Sequence, residues 1–253
     1  MTNLKSIVML VLVTMLIWNA PAPAGQELIV SAAASLTNAL KEVAGHYEQA
    51  HPGTKIVCNF AASGPLLQQI AQGAPVDVFA AADQQTMNQA QEKGLIVPAS
   101  RKNFVSNTLV LITPATAGLR LAGPEDLARP EVKRVGLGNP ANVPVGRYSQ
   151  EALTKAGSWE NLKPKLIYGE SVRQVLDYVS RGEVDAGLVF ATDAAIAQEK
   201  VTLVAEVKGH QPIIYPVALV AASPRPALAQ SFLEFLLSPA AREIFRKYGF
   251  GPV

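Results

Sequence analysis

The chain has 253 residues, 49% hydrophobic and 17% charged, and its 22 Lys and Arg against 20 Asp and Glu give a formal net charge of +2. This apolar content excludes a disordered chain, because enough apolar surface is available to offset the entropy lost on folding. The near-neutral charge gives no electrostatic argument for nucleic-acid binding. The single cysteine, Cys58, excludes a disulfide framework, and the three histidines have no metal-ligand spacing.

Residues 1–24 have the composition of a secretory signal peptide. Lys5 precedes an apolar run over residues 7–18, and the sequence Ala22-Pro23-Ala24 offers a cleavage pattern. The run is too short to cross the ~30 Å hydrocarbon core of a membrane as a helix. No cysteine stands near the cleavage point, so we expect an exported protein without a lipid anchor. A retained N-terminal membrane anchor is the alternative.

Strand-like and helix-like patterns alternate along the first part of the chain. Short β-branched or apolar runs at residues 28–30, 55–60 and 77–80 predict strands. Apolar residues at helical spacing predict helices that begin at Ser35, at Pro65 and at Gln84. Such alternation is typical of parallel strands joined by helical crossovers.

A second set of alternating elements follows an apolar strand over residues 107–112. Strands are predicted at 135–137, 166–168 and 187–190, helices at 146–155 and 171–180, a long β-rich run at 213–221 and a helical C-terminus at 226–248. Two α/β sets joined by two long apolar strands predict two lobes. The first comprises residues 25–107 plus 213–253, the second 108–212, and the hinge lies near Asn107 and Pro216.

Four predicted strand-to-helix turns share small residues and hydroxyl groups. They lie at residues 32–35, 61–64, 140–146 and 169–172. Ligands of α/β sheets bind at the carboxyl ends of strands, and helix N-termini present free N–H groups that favour anions. An inter-lobe anion site that needs no charged side chain is therefore predicted. Taken singly, Ser35 and Ser63 are ordinary helix N-caps, and Val145 and Val172 are ordinary core residues.

The sequences AAASLTNA (32–39), FAAS (60–63), GAPVDVF (73–79), GNPANVPVGRY (138–148), ESVR (170–173), GLVFATDA (187–194) and FRKYGF (245–250) run in order along nearly the whole mature chain. In these segments the chain resembles periplasmic molybdate-binding proteins, the solute-binding components of molybdate ABC transporters. The resemblance implies an α/β, two-lobe periplasmic-binding-protein fold of type II. Each lobe would be a mostly parallel sheet flanked by helices, with two hinge crossings between the lobes.

The same resemblance implies an oxyanion cage. Ser35 and Ser63 would each donate a backbone N–H and a hydroxyl, and Val145 and Val172 would donate backbone N–H groups. Phe190 stands where many members have a tyrosine, and losing one hydrogen bond to a charged ligand costs roughly 1.5–3 kcal/mol. A bound water and Tyr148 are the candidates to compensate. Read without the resemblance, Phe190 is a core aromatic residue at the end of a strand.

The resemblance further implies a monomeric periplasmic receptor that passes molybdate, and tungstate, to an ABC permease. It implies no enzymatic activity and no cofactor, with molybdenum present only inside the oxyanion and no direct protein–metal ligand. A receptor for sulfate, thiosulfate or another tetrahedral oxyanion is the nearest alternative. A secreted hydrolase with a serine nucleophile is a remote alternative, but the sequence contains no G-x-S-x-G motif. The effector domain of a transcriptional regulator is another, but such a domain would carry no export signal.

Overall fold

Residues 26–253 fold into two five-stranded mixed sheets, each covered by helices. The computed structural model describes residues 26–253, and the predicted signal peptide, residues 1–24, lies outside this part of the chain. The strands are β1 (Gln26–Ala33), β2 (Thr54–Ala61), β3 (Val78–Ala80), β4 (Lys102–Asn107), β5 (Leu109–Pro114), β6 (Val135–Gly138), β7 (Leu166–Gly169), β8 (Ala186–Phe190), β9 (Val201–Glu206) and β10 (Ile213–Leu219). The helices are α1 (Thr37–Ala50), α2 (Ser63–Ala71), α3 (Gln84–Glu92), α4 (Pro144–Lys155), α5 (Trp159–Leu162), α6 (Val172–Ser180), α7 (Ala191–Ala195), α8 (Pro226–Leu236) and α9 (Pro239–Lys247).

The two sheets have the same plan. The first has the order β2-β1-β3-β10-β4 and the second the order β7-β6-β8-β5-β9. In each sheet three strands are parallel, and the fourth and fifth are antiparallel to their neighbours. The predicted two-lobe α/β fold is confirmed. Each sheet is mixed because the strand that enters it from a crossing, β10 in the first sheet and β5 in the second, runs in the reverse direction.

The chain crosses twice between the sheets. It leaves the first sheet at Asn107, the end of β4, and enters the second at Leu109, the start of β5. It returns between Glu206, the end of β9, and Ile213, the start of β10. By sheet membership, residues 26–107 and 213–219 belong to lobe 1 and residues 109–206 to lobe 2. Pro216 lies inside β10, at a register shift next to Tyr215, rather than in the crossing segment.

Helix boundaries follow local chemistry. α6 begins where the Ser171 hydroxyl accepts a hydrogen bond from the Gln174 N–H, and α9 begins where the Ser238 hydroxyl caps it in the same way. The apolar residues of α6 recur at helical spacing and are all buried against the second sheet: Val172, Val175, Leu176 and Val179. The strand-to-helix turns thus sit at the carboxyl ends of β1, β2, β6 and β7.

Candidate functional site

The four turns meet in one small cavity between the lobes. The cavity is small, with a volume of about 200 Å³ that includes its opening to solvent. Lobe 1 contributes Ala33, Ala34, Ser35, Ala62, Ser63 and Ala82, and lobe 2 contributes Val143, Pro144, Val145, Val172 and Phe190. All five residues predicted for the oxyanion cage are therefore brought together around one cavity.

Neither serine of the cavity is a helix cap. Ser35 lies in a 3-10 turn, Ala34–Leu36, and Ser63 is the first residue of α2, and neither side chain makes a capping hydrogen bond. The Ser35 Oγ lies 2.9 Å from the Tyr215 Oη. The Ser63 Oγ accepts a hydrogen bond of 2.9 Å from the Ala82 N–H. The N-cap interpretation of these residues is therefore wrong.

Three of the residues that line the cavity lie in the first turn of a helix. Ser63 and Val172 are the first residues of α2 and α6, and Val145 is the second residue of α4. First-turn N–H groups have no acceptor within their own helix, and the aligned peptide dipoles give this end a partial positive charge. The cavity therefore combines neutral donors from both lobes.

Phe190 closes one side of the cavity with an apolar ring. It ends β8, is 1% exposed and packs edge-on against Tyr148 and Tyr215, at centroid distances of 6.3 Å and 6.0 Å. The Tyr148 hydroxyl lies 3.5 Å from the carbonyl of Ala82 and does not line the cavity. Burial raises the pKa of Tyr148, so its phenol stays protonated.

Two arginines beside the cavity are both paired with aspartates. Arg147, on α4, crosses from lobe 2 to Asp83 of lobe 1, with an Nη2–Oδ2 distance of 2.5 Å. Arg173, on α6, pairs with the fully buried Asp193 at 2.5 Å and donates to the Asn38 side chain of lobe 1 at 3.0 Å. Burial raises the pKa of Asp193 to about 6, against the opposing effect of Arg173. These guanidinium charges are neutralised within the protein.

The lobes also touch through backbone. The Gly64 N–H, at the start of α2, donates to the Asn142 carbonyl of lobe 2 at 3.1 Å. A Cβ on Gly64 would lie 2.9 Å from the Asn142 Cα and closer still to its carbonyl oxygen. Only glycine fits at this close approach. Because Gly64 and Asn142 belong to opposite lobes and are in direct contact, the lobes are closed on each other.

Residues 26–253 contain no group of three or more His, Cys, Asp or Glu side chains placed to hold a metal ion. Within the same residues, no helix combines the length and apolar character needed to span a bilayer.

Three polar groups near the cavity were missed from the sequence. Arg147 and Arg173 lie inside recognised motifs, but their partners Asp83 and Asp193 are distant in sequence. Tyr215 comes from β10, which runs antiparallel to β3 and pairs Val217 with Ala80. If β10 is assigned as antiparallel to β3 in the predicted sheet, Tyr215 falls beyond the end of β3, at the level of the cavity.

Comparison with known proteins agrees with this geometry. Residues 28–251 match the family described as bacterial extracellular solute-binding protein. The Bacillus subtilis protein YvgL, named as an ABC transporter substrate-binding lipoprotein, is 40% identical over 88% of this chain and 85% of its own length. The molybdate-binding protein ModA of Haemophilus influenzae is 38% identical, covering 90% of this chain and 91% of its own. The periplasmic molybdate-binding protein of Azotobacter vinelandii superposes with a TM-score of 0.76 at 25% identity, over 88% of this chain and 98% of that one. The protein therefore belongs to the bacterial extracellular solute-binding proteins.

Proposed function

We propose that the protein captures molybdate, and also tungstate, between its lobes and delivers the oxyanion to an ABC permease. The observation that carries the proposal is the convergence of two serine hydroxyls and the first-turn amides of both lobes on one small cavity. The names of the relatives that share most of the chain support molybdate as the ligand. A ligand that contacts both lobes binds the closed arrangement more tightly than the open one, and it therefore stabilises the closed arrangement.

The donor set favours a fully deprotonated dianion. Ser35, Ser63, Val145 and Val172 would offer hydroxyl and amide hydrogens, and all of these groups donate to an oxygen that carries no proton. Hydrogen phosphate keeps a proton near neutral pH and needs an acceptor. Among the residues that line the cavity there is no carboxylate to provide one. Sulfate has the same hydrogen-bonding character as molybdate but is smaller, so its rejection depends on the size of the cage.

A binding role fits the two serines better than catalysis. A serine nucleophile needs a base within hydrogen-bond reach. The Ser35 hydroxyl instead contacts the Tyr215 phenol, and the Ser63 hydroxyl accepts the Ala82 amide. We therefore propose a receptor without enzymatic activity or a cofactor, in which molybdenum is held only as its oxyanion.

We further propose that the mature protein is a periplasmic monomer without a lipid anchor. Its only cysteine, Cys58, lies in β2, whereas the relative YvgL carries the name of a lipoprotein. Cys58 is half-buried, and burial raises the pKa of its thiol to about 11, so it is a poor nucleophile.

Calorimetric titration of the mature protein with molybdate, tungstate, sulfate and phosphate tests the ligand. We expect molybdate and tungstate to bind much more tightly than sulfate, and phosphate to show no binding, because hydrogen phosphate leaves its proton without an acceptor. Ser63→Ala should weaken molybdate binding about 10- to 100-fold, as expected for a lost hydrogen bond to a charged group. Equal or preferential binding of sulfate would assign the receptor to sulfate instead.

Phe190→Tyr tests whether the cage lacks a donor. The new hydroxyl would enter the cavity from its apolar side, and we expect molybdate to bind roughly tenfold more tightly. Phe60→Tyr, on the partly exposed part of β2 outside the cavity, is the control and should leave the affinity unchanged. Unchanged affinity in Phe190→Tyr would mean that the existing donors already satisfy the oxyanion.

A further inference from the structure

We propose that Tyr215 is a positioning residue that orients the Ser35 hydroxyl, so that the serine proton points at the bound oxyanion. The inference rests on the proposed anion site and concerns its selectivity. It follows from the hydrogen-bond directions along a chain of three side chains: the partly buried Asn107 and the buried Tyr215 and Ser35.

The direction of the chain is set at Asn107. The Thr108 N–H donates to the Asn107 Oδ1 at 2.9 Å, which identifies that atom as the oxygen of the amide. The other end of the amide is therefore the NH₂ group. It donates to the Tyr215 Oη at 3.1 Å and to the Thr192 Oγ1 of lobe 2 at 2.9 Å. At Tyr215 the phenol oxygen consequently accepts a hydrogen bond from Asn107.

The phenol proton of Tyr215 then has a single hydrogen-bond acceptor among the described residues. Tyr215 is 0% exposed, and a buried hydroxyl proton without an acceptor costs free energy. Within residues 26–253, the remaining partner of this hydroxyl is the Ser35 Oγ at 2.9 Å. Burial raises the pKa of Tyr215 well above its ordinary value, so the phenol keeps its proton at physiological pH. Tyr215 therefore donates to Ser35.

Ser35 is left with its own proton free, and its side chain borders the cavity. Ser63 has the same polarity, because it accepts from the Ala82 N–H and keeps its proton for the cavity. Each serine thus accepts a hydrogen bond from the protein and donates one to the ligand. This ordering removes the freedom of a hydroxyl to turn and accept, which is what a protonated oxyanion would require. Tyr215 thereby supports selection of a fully deprotonated ligand and reinforces a cage that lacks the hydroxyl at Phe190.

The test is calorimetric titration with molybdate of four forms of the mature protein: wild type, Tyr215→Phe, Ser35→Ala and the double variant. We expect Tyr215→Phe to weaken binding about tenfold and Ser35→Ala about 10- to 100-fold. Because Tyr215 acts through Ser35, the double variant should bind within about twofold of Ser35→Ala. Tyr47→Phe is the matched control. It removes another buried phenol, which donates to the Ser231 Oγ at 3.0 Å at the far end of α1, and it should leave affinity unchanged.

The outcomes separate the inference from the proposed function. If the wild-type protein binds no molybdate, the proposed function fails. If it binds and Tyr215→Phe binds equally well, or if Tyr215→Phe weakens binding by the same factor with and without Ser35, the inference is overturned. Asn107→Asp, which replaces an amide by a carboxylate of nearly the same shape, gives a second readout. Its carboxylate accepts the proton of the Tyr215 phenol, so the Ser35 hydroxyl donates to the phenol instead of to the ligand. Molybdate binding should weaken at least tenfold. The loss should be smaller when the same substitution is made in Ser35→Ala.

Discussion

Gly64→Ala is expected to weaken molybdate binding on the order of a hundredfold. The new methyl group would collide with the Cα and carbonyl of Asn142 in the opposite lobe. Overpacked contacts cost typically 1–3 kcal/mol, and we expect about 3 here because the obstructing atoms belong to the backbone. This penalty falls only on the closed arrangement, so the population that can surround the ligand shrinks.

The measurement pairs calorimetric titration with thermal unfolding of the ligand-free protein. Alanine before Pro65 is also disfavoured in a helix, which lowers the stability of α2 whether or not the lobes are closed. The unfolding temperature reports that second effect separately. Gly45→Ala, in α1 with open space around the added methyl group, should leave affinity unchanged and stabilise the protein slightly. Affinity within threefold of wild type in Gly64→Ala would mean that the ligand binds with the lobes apart.

Arg173→Ala is expected to destabilise the fold by about 3–5 kcal/mol at pH 8, because it leaves Asp193 buried without its counter-charge. The loss should be smaller at pH 5. Burial already raises the pKa of Asp193 to about 6, and Arg173 is the group that opposes this shift. Without Arg173 the pKa rises further, so the folded protein binds a proton more tightly than the unfolded chain, and folding is favoured as the pH falls through that pKa.

Chemical denaturation at pH 8 and pH 5 measures this difference. Adding Asp193→Asn to Arg173→Ala removes the isolated charge and should recover most of the loss. Arg181→Ala removes an arginine whose side chain is 70% exposed and should change the free energy of unfolding by less than about 0.5 kcal/mol. An equal loss at both pH values for Arg173→Ala would show that Arg173 does not shift the pKa of the Asp193 carboxyl, and it would contradict this prediction.

The sequence predicted those features that depend on local pattern. The strand-to-helix alternation and the small residues of the four turns are periodic or contiguous signals, and they predicted an anion site between the lobes. The family resemblance then named Ser35, Ser63, Val145, Val172 and Phe190, which all line one cavity. β4 and β9 were missed as strands. Most residues of β9 are partly or fully exposed and form a weak apolar signal. In β4 only Phe104 and Val105 are buried, a run too short to indicate a strand. Helix α5, with four residues, is too short for a helical period to appear.

Local patterns of this kind do not predict which side chains pair across the fold. Tyr215 and Ser35 are 180 residues apart in the chain, and their hydroxyls meet only because β10 returns to the first sheet in the reverse direction. Asp193 and Arg173 likewise meet through the packing of α7 against α6. A single sequence gives the identity of these groups, but the direction of each hydrogen bond depends on which acceptors remain after folding.

The pairing of both arginines beside the cavity has a consequence for competition by common anions. Within residues 26–253 the cleft presents dipoles but no surplus cation next to the cavity, since Arg147 and Arg173 are each matched by a carboxylate. Chloride and other small anions therefore meet only these short-range dipoles, and the affinity for a tetrahedral oxyanion should change little as ionic strength rises. Capture of a dilute ligand at high ionic strength then depends on how well its oxygens fit the donors of the cavity, rather than on attraction between net charges.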